Sequence, residues 1–459
     1  MTLIALAQLR RRPTAFTGLA VALFLAIATM TLFGSLFAAD VSTPASAREA
    51  AAGPGLMVIA GAFGEIAVLV AFFVVVNALG FALRQQHREL ALLRTIAATP
   101  RQTRRLVRVQ VCTTTLLAAA PGWIAGVALA RRFLAEVQRL GMAAPGVRVP
   151  VTPVPMLVAL VALAAVLAVG LAATAVAARR ISRIAPTAAL TASSTEHGRT
   201  GAPRLLAGIG AMAGGVLLLR LAATRPAEQA DKAGQAALLA SLVLLVAVAL
   251  TGPFAVRLLA AALGAPVRTL APGAGWLADA NLRGYARRLS SAVVPVALLV
   301  GLSGTMLTMT STAEHAANSA ATSVTSATDV WLRQAELVLL ACFAAVSTLN
   351  TLIAVTAERR REFALLRLVG ATRPQLMRML TVEAVLTTAE GVLLGAAVAG
   401  AASTAFSTAV TGSPVPHVPV GACVFIVAGA ALLTVPGILA TGLRAVHGRA
   451  AEVVGGGRD

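Results

Sequence analysis

The chain has 459 residues, of which 58% are hydrophobic and only 12% charged, and its mean hydropathy is +0.85. Soluble domains carry about 45–50% apolar and about 25% charged residues, so a soluble enzyme and a disordered chain are both excluded and a polytopic α-helical membrane protein is expected. The 38 basic against 18 acidic residues give a net charge of +20, which on such a chain reflects cytoplasmic loops obeying the positive-inside rule rather than nucleic-acid binding.

A membrane-crossing helix needs about 20 apolar residues. Ten stretches meet that length, at 14–38, 56–83, 109–130, 154–178, 205–223, 236–263, 289–311, 335–357, 379–402 and 420–443. The fifth is the weakest, because Arg220 falls near its end. The first follows Arg10-Arg11-Arg12; it is too long for the apolar core of a signal peptide and lacks a good cleavage site, so it is expected to span. Ten spans put both termini on one side. With the N-terminus in the cytoplasm, 29 of the 38 basic residues fall inside, and that bias sets the orientation. The expected location is the cytoplasmic membrane, multi-pass, with both termini cytoplasmic and every outside segment short.

Catalytic chemistry is not expected. Only one of the basic residues is a lysine, Lys232, in Ala230-Asp231-Lys232-Ala233-Gly234. A phosphate loop needs a lysine after its glycines, so no nucleotide site of that kind can be built. Cys112, Cys342 and Cys423 lie far apart in apolar stretches, and His87, His197, His315, His417 and His447 are scattered. This gives neither a disulfide framework nor a metal site.

The two ends of the chain match at an offset of 273 residues. Ala7-Gln8-Leu9-Arg10 lies over Ala280-Asn281-Leu282-Arg283, and Asn77 lies over Asn350. Arg88-Glu89-Leu90-Ala91-Leu92-Leu93-Arg94 lies over Arg361-Glu362-Phe363-Ala364-Leu365-Leu366-Arg367. Ala98-Thr99 lies over Ala371-Thr372, Gln102 over Gln375, and Arg105 over Arg378. The reading is therefore two parallel four-helix repeats, 1–195 and 271–459, joined by two linker helices in 196–270. Parallel repeats pack about an axis along the membrane normal, which leaves a substrate path between copies.

In each copy the longest basic inside segment follows the second helix. Leu90, Leu93 and Ile96 recur at helical spacing in one, and Phe363, Leu366 and Val369 in the other. Both predict a short amphipathic helix beneath the membrane. Ala97-Ala98-Thr99-Pro100 and Gly370-Ala371-Thr372-Arg373 break it. Snorkelling anchors explain the basic charge of Arg101, Arg104, Arg105 and Arg108. They do not explain an embedded glutamate, an apolar stripe and a small-residue break occurring twice, which a docking element for a soluble partner does.

The stretch from Glu358 to Thr372, and its duplication, resembles the signature of FtsX-like permeases, the membrane subunits of MacB-type (type VII) ABC transporters. The two-copy, ten-helix layout is similar to the BceB-like arrangement. The resemblance implies a non-enzymatic permease subunit that couples ATP hydrolysis to export or extraction of a hydrophobic, lipid-linked or peptide cargo. It implies ATPase-coupling residues at Arg88, Glu89, Leu92, Leu93, Arg94 and Thr99, and at Arg361, Glu362, Leu365, Leu366, Arg367, Gly370, Ala371 and Thr372. It also implies two copies of an ABC ATPase, which bind the ATP and Mg; because the repeat supplies two docking segments, one permease chain per complex is expected, in contact with membrane lipid. The first copy has Ala97 where the second has Gly370, so the two docking sites are not expected to be equivalent. The alternatives are an ion-coupled secondary transporter and a mechanotransmission subunit acting on a cell-envelope partner. Glu65 and Glu390 lie within apolar runs, where a carboxylate is a functional candidate.

Overall fold

The computed structural model describes residues 13–44, 99–149, 202–270, 286–319 and 360–446, with single positions between 55 and 79, at 164, between 273 and 280, and between 331 and 351. Within these residues the chain is helical, with no strand. The helices are α1 (Pro13–Val41), α2 (Pro100–Arg139), α3 (Ala202–Ala223), α4 (Ala230–Leu270), α5 (Ala286–Ser319), α6 (Arg360–Leu368), α7 (Arg373–Thr411) and α8 (Val420–Val446). All but α6 are long and apolar enough to cross a membrane. They fall on the first, third, fifth, sixth, seventh, ninth and tenth predicted spans, and Arg220 sits in the last turn of α3 without ending it early. The predicted spans at 56–83 and 335–357 are described only at scattered positions, and that at 154–178 at one residue.

The chain divides into two compact units. One comprises Met1–Glu196 with Ser326–Ser347, the other His197–Thr325 with Thr348–Asp459. The helices read as linkers, α3 and α4, thus belong to the same unit as most of the second copy. The segment Ser326–Ser347, read as second-copy sequence, belongs with the first.

In the first unit α1 lies against α2. Leu19, Leu23, Ala26 and Leu36 of α1 are fully buried. Toward the end distant from Thr99, Leu32, Phe33, Phe63, Leu134 and Met142 form an apolar core that Phe133 and Trp331 cover. The Phe133 ring lies 6.3 Å from Phe33, edge-on, and 5.1 Å from Trp331. Aromatic pairs at these separations add to area burial.

The second unit packs α5 against α7 and α3 against α4. Proline inside a helix leaves the carbonyl four residues earlier without its donor. In α4 that proline is Pro253 and the carbonyl belongs to Ala249. Arg204 of α3 supplies the missing donor: Nη2 donates to Ala249 O at 2.9 Å and Nε to Leu250 O at 3.0 Å. Most threonines in these helices return their hydroxyl to a carbonyl one turn back, as Thr305 does to Gly301 O at 2.6 Å, which hides a polar group in an apolar setting. At the end of α5, His315 stacks on His417 with ring centroids 4.5 Å apart, and the His417 N–H donates to Thr312 Oγ1.

Candidate functional site

A short turn joins the short helix α6 to the start of α7. Phe363 and Ala364 of α6 are buried, and Leu366 packs half-buried beside them. Their neighbours are Leu376, Met379 and Leu380 of α7 and Ile438 of α8. This inward face packs α6 against the two long helices.

Gly370 ends α6 with a φ of +105°. The Ala371 N–H donates to Leu366 O at 2.9 Å, and the Gly370 N–H to Arg367 O at 3.1 Å. This pair of bonds is a Schellman motif, and it requires a left-handed residue that glycine supplies at least cost. Thr372 then caps α7. Its Oγ1 accepts from the Gln375 N–H at 3.4 Å, and Gln375 Oε1 accepts from the Thr372 N–H at 2.9 Å. The reciprocal pair is a capping box.

The same box starts α2. Thr99 Oγ1 accepts from the Gln102 N–H at 3.3 Å, and Gln102 Oε1 accepts from the Thr99 N–H at 2.8 Å. Thr99 and Thr372 are equivalent at the repeat offset, and so are the two glutamines. The first-copy candidates Arg88, Glu89, Leu92, Leu93 and Arg94 lie outside the described residues, as do the side chains of Arg361 and Glu362.

The face of α6 turned away from α7 and α8 differs from the predicted pair. Leu365 is exposed, whereas Leu366 points inward. The exposed apolar surface is completed by Leu368 and by Val369, which is 88% exposed. Leu365, Leu368 and Val369 stand at i, i+3 and i+4, and share a face for that reason. The sequence reading missed Leu368 and put Val369 on the same stripe as Phe363. Half-buried Arg367 and exposed Arg373 and Arg378 lie on either side of the turn.

The family description "FtsX-like permease C-terminal" matches residues 61–186 and 335–449, together just over half of the chain. The chain belongs to the FtsX-like permease family. A comparison with curated proteins gives no match. As a family member it is a multi-pass membrane protein and a transporter-type permease subunit, of a kind that generally works with ATPase subunits and is itself typically non-enzymatic.

Helix packing in this permease repeats in detail. A Cβ on Gly122 of α2 would stand 3.0 Å from Ile27 Cβ and 3.1 Å from Phe24 O of α1. A Cβ on Gly395 of α7 would stand 2.8 Å from Val300 Cβ and 2.7 Å from Ala297 O of α5. Each of these residues is equivalent to its counterpart at the same offset. One helical turn further the small residue changes sides. Gly126 of α2 faces Thr31 of α1, whereas in the second copy Gly304 of α5 faces Ala399 of α7. Close approach of helix backbones at small residues is the usual means of packing in lipid.

Among the described residues, two buried acids of the permease lie on α7, apart from Asp40 of α1. Glu390 is completely buried, and neither carboxylate oxygen has a hydrogen-bond partner among the described residues. Glu383, seven residues earlier on the same face, is 3% exposed; the sequence reading did not single it out. Thr387 lies between them, 1% exposed, with an unpartnered hydroxyl. Glu65 lies outside the described residues. No cluster of three or more potential metal ligands occurs among the described residues.

Proposed function

We propose that this chain is the membrane subunit of an ATP-binding-cassette transporter, and that its cytoplasmic segments dock two ATPase subunits. ATP and Mg reside in those partners. The carrying observation is the two-sided character of α6. One face is anchored to α7 and α8 through Phe363 and Leu366, and the other presents Leu365, Leu368 and Val369 beside arginines. A helix held rigidly to two membrane helices transmits a push from below into both of them. Exposed apolar side chains framed by basic ones suit a protein partner better than bulk water.

The matching capping boxes and glycine crossings support two copies, 1–195 and 271–459, joined by 196–270. Each copy then has its own docking segment, at 88–99 and at 361–372. An ATPase dimer needs two such segments, so one permease chain with both termini cytoplasmic completes the membrane part. A hydrophobic, lipid-linked or peptide cargo fits the apolar chain.

Changing Leu365 and Leu368 together to aspartate tests the reading. We expect the ATPase to be lost from the purified complex while the permease stays in the membrane. Undiminished co-purification and ATPase stimulation would refute docking through α6.

A further inference from the structure

We propose that Glu390 is the anchoring charge of an intramembrane binding site for an amphiphilic ammonium group, built on the second copy alone. The inference rests on the permease reading above, but its test does not require an ATPase.

Glu390 sits 11 residues from Met379 and 12 from Ala402, the ends of the predicted span. At 1.5 Å per residue it lies roughly 17 Å from either end, near the middle of a hydrocarbon layer about 30 Å thick. Charged groups at that depth face the bundle interior and pair with something. Glu390 faces inward, yet no arginine or lysine of the described residues donates to it. The hydroxyl of Thr387, one turn below on the same face, is equally unpartnered. Two orphaned polar groups therefore lie one turn apart on the same face, and the carboxyl can supply one negative charge to a cation that pairs with it.

The surroundings define the rest of the ligand. Leu394, one turn above Glu390, packs on Val256 of α4 and Val293 of α5. A Cβ on the adjacent Gly391 would stand 2.6 Å from Val296 Cβ, so α5 lies directly alongside. These described residues beside Glu390 are apolar. Calcium and magnesium take about six or more oxygen ligands and zinc about four ligands, and the described residues hold no cluster of three metal-binding side chains. A single positive charge with hydrogens to donate, carried on an apolar body, matches one carboxylate, one hydroxyl and valine and leucine neighbours.

The first copy lacks the feature. The positions equivalent to Glu383, Thr387 and Glu390 are Gln110, Thr114 and Leu117. Thr114 returns its hydroxyl to Gln110 O at 2.8 Å, and Leu117 is exposed. A purely structural role in the repeated four-helix unit would be expected in both copies. The acid occurs in one, and so does the orphaned hydroxyl.

The ammonium has two sources, an aminophospholipid headgroup or a free amphiphilic amine. Tritiated dodecylamine binding to the full chain, in nanodiscs of phosphatidylglycerol, tests the shared chemistry. We expect saturable binding of one amine per chain, weakened by at least about tenfold in Glu390→Gln. Glu390→Asp, which keeps the charge, should stay within about threefold of the parent protein. Equal binding by the parent and Glu390→Gln, or none by either, overturns the proposal. Should Glu390→Gln fail to fold, dicyclohexylcarbodiimide labelling of the unaltered protein decides. Labelling at Glu390 should be blocked by saturating dodecylamine, and unblocked labelling overturns the site. Native mass spectrometry of protein from phosphatidylethanolamine membranes separates the sources. One retained aminophospholipid, lost in Glu390→Gln, supports a lipid headgroup. Amine binding without lipid retention supports a free amine.

Discussion

The guanidinium of Arg204 donates to the carbonyl of Ala249, the group that Pro253 deprives of its helical partner. The arginine comes from α3 and the proline from α4, so the defect in one helix becomes the attachment point of the other. A hydrogen bond to a charged group contributes about 1.5–3 kcal/mol, and an orphaned buried carbonyl costs about 1–3 kcal/mol.

Arg204→Met should therefore destabilise the protein by about 1–3 kcal/mol. Pro253→Ala restores an N–H for Ala249 and should be near neutral alone. Combined, it should recover part of the arginine loss, with a coupling above about 0.5 kcal/mol. Detergent-induced unfolding followed by circular dichroism measures all four corners. Strictly additive losses would show that Arg204 acts elsewhere.

The exchange of small residues between copies gives a second prediction. Gly304→Thr places side-chain bulk where a Cβ already lies 3.1 Å from Ala399 Cβ. Overpacking of this kind costs about 1–3 kcal/mol. Ala399→Gly alone should cost about 1 kcal/mol, the price of glycine in a helix. Together they rebuild the Thr31 and Gly126 pairing of the first copy. The double variant should be more stable than Gly304→Thr alone, by thermal unfolding in the same detergent. A double variant worse than both singles would argue that the two crossings are not interchangeable.

The third prediction concerns the turn between α6 and α7. Alanine at position 370 would have to adopt a φ of +105°, and a left-handed backbone costs an ordinary residue about 1–2 kcal/mol. Gly370→Ala should accelerate hydrogen exchange of the amides from Val369 to Ala371 by about five- to thirtyfold. Gly370→Asn should be milder, because asparagine tolerates that region. Unchanged exchange in Gly370→Ala would mean that the Schellman bonds do not hold the turn.

The long helices were legible because apolar length is a property of the chain alone. Their ends were not. Helix α2 runs on to Arg139, past the predicted limit of residue 130, through Ala-Arg-Arg-Phe-Leu-Ala-Glu-Val-Gln-Arg. Alanine, leucine, arginine, glutamate and glutamine all favour helix in water as well as in lipid, so hydropathy marks where the membrane stops and not where the helix does. The segment that forms α6 was legible through its repetition. Which of Leu365 and Leu366 faces outward was not, since adjacent helical residues differ by about 100° and the choice is made by Ile438 of a distant helix. Glu383 escaped notice because it lies near the edge of its span, where a charge is unremarkable. Its seven-residue spacing from Glu390, two turns on one face, was the available signal.

The reciprocal placement of Gly126 and Gly304 bears on how a duplicated membrane chain finds its own partners. Helices α1 and α5 have nearly interchangeable sequences for lipid insertion, as do α2 and α7. Pairing α1 with α7 would set Thr31 against Ala399, bulk on bulk. Pairing α5 with α2 would set Gly304 against Gly126 and leave a void. Only the native combinations put one small and one larger residue at the crossing. Steric fit at the crossing thus favours the native neighbour over the look-alike for helices that enter the bilayer at different times of synthesis.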